Sequence, residues 1–353
     1  MIGHPGRDSR GLLLACAVYG TAVVTAQRDE PYVFANVCHP PLTLTPSSRL
    51  SACNVQILAP PNLSSCPHAE GKVSGLRWCC WKEHEDSHIS AAILRGEVPG
   101  MESTPVGHWK QLLQSYPPGI VVDAGSQVGL FTGIALALGH HVIAVDARPD
   151  HTEMLTTSLK LNGLESAATV VHAALGSECG KMVTIEQHEH GNPGSSHIES
   201  FRRLQQQQHS SRVPMLSLDS IIASARRNAV NGKLGAKGGG KIAKSAPVLA
   251  LKLDVEGLEA RVLMGAAHLM ARMHRPMLII MEVFVSRLTA CNVRDFIGGF
   301  GQLNYTIDVS ARLNMPYCAV ASRCRQLNAA RGLGQFLESL SNGQEMDLVF
   351  FLN

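Results

Sequence analysis

The sequence predicts an α/β fold, in which a mostly parallel sheet is covered by flanking helices. From residue 118 onward, short apolar runs alternate with segments of helical periodicity, a pattern typical of βαβ units. Asp123 ends the first apolar run, and a turn with glycine at positions 125 and 129 follows it. Asp146 ends the second run. Both acids therefore fall at the carboxyl edge of the predicted sheet, where ligands of such folds bind.

Periodicity and end signals predict the individual elements. Strands are expected where bulky apolar residues form short runs, at 120–122, 142–145, 169–174, 248–253, 277–281 and 348–352. Helices are expected where apolar residues recur three or four positions apart. They are a helix over 130–138, one from Pro149 to about Asn162, a short one from Leu218, and one along the stripe 258–270.

Two polar stretches, 187–212 and 226–247, interrupt the pattern and are predicted to be surface loops. The second contains six basic residues and no acidic one, so a nucleic-acid tether is the alternative to a solvated loop. A net charge of +3 and an aromatic content of 5% favour the loop and predict no nucleic-acid partner. His188 and His190 lie in the first stretch, where a solvated surface is expected over a metal site, and no metal is predicted.

The first 26 residues have the features of an export signal. Arg7 and Arg10 precede the apolar run 11–24, and small residues at 24–26 offer a cleavage site before Gln27. The run is short for a membrane-spanning helix. A cleaved signal peptide is therefore predicted, with a retained signal-anchor and a buried helix as alternatives. A secreted or lumenal location follows, and contact with a membrane is expected only if the segment is retained.

Residues 27–117 are predicted to form an irregular, cysteine-rich region that precedes a domain at 118–353. Five cysteines occur in it, at positions 38, 53, 66, 79 and 80. Disulfide bonds would stabilise such a segment in an oxidising compartment, whereas zinc is the alternative, disfavoured because no C-x-x-C pair is present. Sequons at Asn62 and Asn304 allow glycosylation and give weak support for export.

The turn after the first strand suits a ligand that has no phosphates. Gly125 lets the backbone come close to a neighbour without a Cβ clash, and the helix that follows directs amide N–H groups toward a carboxylate. Gln127 stands where a dinucleotide-binding turn would have its second glycine. Asp146, 23 residues after Asp123, is placed to accept hydrogen bonds from ribose hydroxyls. Together these features favour an adenosyl ligand.

The run Leu251–Glu259, with the sequence LKLDVEGLE, is the most specific motif of the chain. With the VLMGA that follows it, the run DAGSQVGLFT from Asp123, and Glu282 after an apolar strand, it resembles the FkbM-type methyltransferases. The resemblance covers about half the chain and nothing before residue 117. Two departures are Ser126-Gln127, where the family usually has Ala-Asn, and the basic insertion.

The resemblance implies a Rossmann-like class I methyltransferase fold, S-adenosyl-L-methionine as cofactor, and O-methylation of a sugar or another hydroxylated metabolite. It suggests cofactor contacts at Asp123, Gly125 and Gly129, ribose contacts at Asp146, and an adenine contact at the backbone of Ala174.

The acceptor is expected beside Asp254 and Glu256. A hydroxyl becomes a better nucleophile when a carboxylate takes its proton. Asp254 is therefore the first candidate for a general base and Glu256 the second.

Three classes of function remain open from the sequence. An O-methyltransferase acting on glycans in the secretory pathway is the first. A nucleic-acid or protein methyltransferase is the second, although Asp254-Val255-Glu256-Gly257 stands where amino-methylating enzymes typically have an N-P-P-Y-like turn. A non-catalytic domain that has kept the fold is the third.

Overall fold

The computed structural model describes residues 53, 55–58, 65–186, 193–195, 197–198, 210–230, 246–271, 275–284, 293–308 and 345–353. All of them belong to one unit, Pro31–Asn353. The predicted export signal, His188 and His190, Asn62 and most of the two predicted loops lie outside the described residues.

The described elements follow in chain order. The strands are β1 (Ala69–Val73), β2 (Leu76–Cys80), β3 (Ile120–Ala124), β4 (His141–Asp146), β5 (Ala168–His172), β6 (Ala174–Leu175), β7 (Met182–Glu186), β8 (His197–Ile198), β9 (Ser210–Leu216), β10 (Val248–Leu253), β11 (Leu278–Phe284), β12 (Tyr305–Asp308) and β13 (Glu345–Leu352). The helices are α1 (Ile89–Arg95), α2 (Ser103–Ser115), α3 (Leu130–Ala137), α4 (Pro149–Leu161), α5 (Leu218–Val230), α6 (Glu259–Met264) and α7 (Val293–Gln302).

Seven strands form the central sheet in the order β12-β13-β11-β10-β3-β4-β5. The pairs among β11, β10, β3, β4 and β5 are parallel, whereas β13 runs antiparallel to both β11 and β12. Every residue of β3, β4 and β10 is buried, because helices cover both faces of a parallel sheet. The predicted α/β, Rossmann-like fold is confirmed.

The order in which strands are added to the sheet reverses at β3, which places a crevice at the carboxyl ends of β3, β4 and β10. Strand β4 lies on one side of β3 and β10 on the other. Ligands of open parallel sheets bind in such a crevice. Asp123, Asp146 and Asp254 all lie at this edge, as the sequence predicted.

Three predicted elements differ in length from the observed ones. Helix α5, expected to be short, is Leu218–Val230 and ends inside the predicted loop 226–247. Helix α6 is only Glu259–Met264, because the chain turns at Gly265. A Cβ at Gly265 would collide with the carbonyl oxygen of Gly176, so the backbone packs here too closely for a longer regular helix. Strand β9 begins at Ser210, inside the predicted loop 187–212, and pairs with β7 in a second, four-stranded sheet.

The part of the N-terminal region that is described contains more regular structure than the sequence indicated. Hairpin β1–β2 and helices α1 and α2 pack against the central domain. Trp78 and Trp109 are fully buried, and their indole N–H groups donate hydrogen bonds to the carbonyls of Val128 (2.6 Å) and Phe131 (3.2 Å). These contacts join residues distant in sequence, so local periodicity could not reveal them.

Two disulfides are present among the described cysteines. Cys66–Cys79 joins the segment before β1 to strand β2, and Cys53–Cys179 joins positions 126 residues apart. Cys80 is a buried free thiol. The expectation of disulfides in the N-terminal region is therefore confirmed for Cys53, Cys66 and Cys79, and the partner of Cys53 is Cys179 outside that region. A separate finding concerns membranes: within the described ranges, no helix is both long and apolar enough to span a bilayer.

Candidate active site

The turn after β3 is held in place by the side chain of Asp123. Its Oδ2 accepts hydrogen bonds from the amide (3.0 Å) and hydroxyl (2.6 Å) of Thr132 on α3. Burial raises the pKa of Asp123, against the opposing effect of Lys252. A Cβ at Gly125, where φ is +78°, would collide with the carbonyl oxygen of Asp254. Asp123 and Gly125 thus fix the turn against α3 and the end of β10.

Asp146 organises the other side of the crevice. Its Oδ2 accepts a hydrogen bond from the Gln127 amide (2.8 Å), and its Oδ1 accepts one from the Arg148 amide (2.8 Å). The Nδ1 of His151 lies 3.1 Å from the same Oδ1. Burial opposes ionisation of Asp146, but His151 and the two amides outweigh it and lower the pKa. Three of about four acceptor positions of this carboxylate are occupied, which leaves room for one further donor.

A cavity of about 450 Å³ opens at this edge of the sheet. The predicted site residues that line it are Gly125, Asp146, Ala174, Asp254 and Glu256. Asp123 and Gly129 are not among the described lining residues. A Cβ at Gly129 would meet Leu155 at 2.6 Å, so this glycine allows α3 and α4 to pack closely. A cofactor contact at Asp123 or Gly129 stays a prediction.

Lys252 contacts both the turn after β3 and the residue that follows β10. Its Nζ lies 2.8 Å from Oδ2 of Asp254 and donates a hydrogen bond to the carbonyl of Gly125 at 2.9 Å. Burial alone would lower the pKa of Lys252, but the carboxylates of Asp254, Asp123 and Glu102 outweigh it and raise the pKa. Lys252 is therefore a buried cation whose charge is compensated by acids around the cavity.

Glu259 holds the turn that presents Asp254 and Glu256. Its Oε1 accepts hydrogen bonds from the amides of Val255 (3.3 Å) and Gly257 (3.0 Å). Burial raises the pKa of Glu259 to about 7. Glu256 takes a positive φ of 56° in this turn, a conformation that is uncommon for a residue other than glycine. The second glutamate of the motif thus shapes the turn, and the first reaches the cavity.

Asp254, Glu256 and Glu282 bring carboxylate oxygens within 4.8 Å of one another. Three oxygens at this separation could together hold a divalent cation. Such acidic clusters also occur without an ion, and Lys252 already compensates part of the charge. The cluster makes this half of the cavity strongly acidic, and Glu282, which the sequence resemblance noted, is part of it.

The N-terminal region also lines the cavity, which the sequence did not indicate. His88, Ile89, Met101 and Glu102 line it from α1 and from the turn before α2. Burial raises the pKa of Glu102 to about 7, with Lys252 opposing the shift. No motif marks these residues, because their position depends on long-range packing. One sequence feature could have indicated this contribution: the segment is joined directly to β3 and therefore has to lie near the sheet.

The fold and the cavity define an α/β methyltransferase-like site with a cofactor half and an acidic half. Residues 123–297, about half the chain, match the family model of the methyltransferase FkbM domain. This part of the chain belongs to the FkbM methyltransferase family, and the cofactor of the domain is S-adenosyl-L-methionine. A search of curated proteins found no match.

Three solved methyltransferases are similar to this chain at low identity and with low TM-scores. A SAM-dependent methyltransferase from Agrobacterium tumefaciens is 11% identical with a TM-score of 0.27; the match covers 53% of this chain and 47% of that one, less than half its length. The precorrin-6y C5,15-methyltransferase from Geobacter metallireducens GS-15 is 9% identical with a TM-score of 0.30 (69% and 87% covered). The plantazolicin methyltransferase BpumL, in complex with SAH, is 9% identical with a TM-score of 0.30 (71% and 86% covered). Likeness at this level gives no information about the acceptor of this chain.

The residues of the cofactor half fit S-adenosylmethionine. Asp146 has an acceptor position left for a ribose hydroxyl, and the backbone at Ala173 and Ala174 borders the same space. The hydroxyl of Ser126 is buried, lines the cavity and has no hydrogen-bond partner in the described part of the chain. These groups would hold the adenosine, and the acidic half would face the methyl group.

Proposed function

We propose that this chain is an O-methyltransferase that acts on a hydroxyl of a sugar or another hydroxylated metabolite. The observation that carries the proposal is the division of the cavity. Asp146 and Ala174 line one half, and the carboxylates of Asp254, Glu256 and Glu282 line the other. A hydroxyl needs a proton acceptor when it attacks a methyl group, and sugar hydroxyls donate hydrogen bonds well to carboxylates.

S-adenosylmethionine supplies an activated methyl group on a sulfonium. The contribution of the protein is to align the acceptor with that group, which can supply a large part of the rate enhancement. Asp146 and the turn Gly125-Ser126-Gln127 hold the cofactor side, and the ion pair of Lys252 with Asp254 fixes the boundary between the two ligands.

We further propose that the protein works in an oxidising compartment of the secretory pathway. The disulfides Cys53–Cys179 and Cys66–Cys79 support this location, because disulfides persist in the secretory pathway and are rare in the cytosol. Asn304 of the second sequon is exposed in the turn before β12, so its position is accessible to glycosylation. Sequencing the N-terminus of the exported protein tests the cleavage. A start near Gln27 is expected, and recovery of reduced protein with Met1 in the cytosol would contradict the proposal.

Methyl transfer to defined sugars tests the activity. The disulfide-bonded protein is incubated with methyl-labelled S-adenosylmethionine and four p-nitrophenyl glycosides (mannoside, galactoside, fucoside and N-acetylglucosaminide). Matched incubations contain oligonucleotides, or peptides with free carboxyl and amino groups. Transfer to at least one glycoside is expected, as a base-stable methyl ether.

The remaining outcomes contradict the proposal. Methylation of amino groups or nucleobases alone would favour the nucleic-acid or protein methyltransferase. A base-labile methyl ester on a peptide would identify a carboxyl methyltransferase. Binding of the cofactor without transfer to any class would favour the non-catalytic alternative.

A further inference from the structure

Glu102 enters the cavity from outside the part of the chain that matches the family model. It ends the turn Gly100–Glu102 at the start of α2, and the matched residues begin only at position 123. The helix behind it is firmly attached, because Trp109 donates a hydrogen bond to Phe131 of α3 and the carbonyl of Leu113 lies 2.9 Å from Nε2 of His140. Glu102 is therefore positioned by packing of the N-terminal segment on the central domain.

The surroundings of Glu102 favour a carboxyl group that exchanges a proton near neutral pH. Its side chain is partly buried, and burial raises its pKa to about 7. Lys252 of β10 opposes this shift, whereas Asp347 of β13, Asp254 after β10 and Asp123 of β3 add to it. A general base works best when its pKa is close to the working pH.

Asp254, the base expected from the sequence, is differently placed. Its Oδ2 lies 2.8 Å from the ammonium nitrogen of Lys252, and the same ammonium is tied to the carbonyl of Gly125. A proton arriving on Asp254 would weaken this buried ion pair. Among the described residues Glu102 forms no ion pair of this kind, and Lys252 acts on it only through its charge. The geometry thus separates an acid that is held by an ion pair from an acid that is not.

We propose that Glu102 is the general base of the acceptor site and that the pair Lys252–Asp254 positions the ligands around it. The assignment rests on the proposed O-methyltransferase function. In the step, the acceptor oxygen forms a bond to the methyl carbon, the electron pair of the carbon–sulfur bond stays on sulfur, and the hydroxyl proton passes to a carboxylate oxygen of Glu102. The N-terminal segment is then an essential part of the catalytic domain.

Glu102→Gln tests the proposal, with Glu102→Asp as the conservative variant. Glu97→Gln is the matched control, because Glu97 lies in the same segment but is exposed and paired with Arg95. Transfer to p-nitrophenyl glycosides is measured against pH, cofactor affinity by calorimetry, and ionisation of Glu102 by NMR of protein labelled at the glutamate δ-carbon. Glu102→Gln should lower kcat by about 10²–10⁴ with unchanged cofactor affinity.

The pH dependence distinguishes a base from a structural residue. In the wild type, the rate should rise with pH through the ionisation of Glu102 near 7, and this rise should be lost in Glu102→Gln and kept in Glu102→Asp and Glu97→Gln. An unchanged rate in Glu102→Gln overturns the proposal. An NMR midpoint for Glu102 below about 5, close to an unperturbed glutamate, also overturns it, whatever the acceptor. If the wild type transfers no methyl group but the NMR midpoint of Glu102 is near 7, the result counts against the proposed function. The ionisation of Glu102 near neutral pH is then still supported.

Discussion

Replacing Asp146 with asparagine should weaken cofactor binding, because an amide nitrogen takes the place of one of the two acceptor oxygens. The carboxylate already accepts hydrogen bonds from the amides of Gln127 and Arg148 and lies 3.1 Å from Nδ1 of His151, so one position remains for a ribose hydroxyl. A hydrogen bond to a charged acceptor contributes about 1.5–3 kcal/mol. Asp146→Asn should therefore raise the Kd for S-adenosylmethionine by about 10- to 150-fold.

Calorimetric titration with S-adenosylhomocysteine and its 2′- and 3′-deoxy analogues measures this interaction directly. One of the two deoxy analogues should bind the wild type more weakly than the parent compound does, and this difference should vanish in Asp146→Asn. Asp150→Asn is the matched control. Asp150 lies in the first turn of α4, where it pairs with Arg148, and it is not among the described residues that line the cavity. Thermal unfolding of both variants reports any structural damage. If folded Asp146→Asn binds the parent ligand as tightly as the wild type does, the ribose assignment is refuted.

Three further predictions concern turnover and stability. Asp254→Asn should slow methyl transfer more than it weakens cofactor binding, and wild-type turnover in this variant would remove Asp254 from the site. Glu259→Gln removes a carboxyl whose pKa is raised from 4.5 to about 7 in the folded protein. The wild type should therefore lose up to about 3 kcal/mol of unfolding free energy relative to this variant as pH rises from about 5 to 8. Urea unfolding that gives the same difference in unfolding free energy between the two proteins at every pH would contradict this. Replacing Cys53 and Cys179 together with serine should lower the unfolding free energy by at most about 5 kcal/mol, because their disulfide spans 126 residues; equal stability of the two proteins would contradict this.

The central sheet was predictable because its strands are buried on both faces. Buried strands form apolar runs, as at 142–145, and their ends are marked by acids. Helix α4 was predictable from both ends, with Pro149 at its start and Asn162 at its C-cap. Strand β9 carries Arg212 and Pro214 within it, and these residues concealed it within a predicted loop.

Both halves of the site were predictable in part from the residues at the ends of the strands. Asp146 follows directly from its strand, and the structure places it in the cavity. The role of Asp123 depends on the distant hydroxyl of Thr132, and that of Glu102 on the packing of α2. Contacts between different elements leave no periodic pattern, so the sequence alone could show neither the bond of Asp123 to Thr132 nor the place of Glu102 in the cavity.

A crystal structure of the disulfide-bonded protein with S-adenosylhomocysteine tests the central claim most directly. One ligand molecule is expected in the cavity, with a ribose hydroxyl within hydrogen-bond distance of Asp146 and the adenine beside Ala174. The sulfur should face the space between Asp254 and Glu102. A ligand bound elsewhere, or one whose sulfur faces away from these two carboxylates, would contradict the proposed placement of cofactor and acceptor.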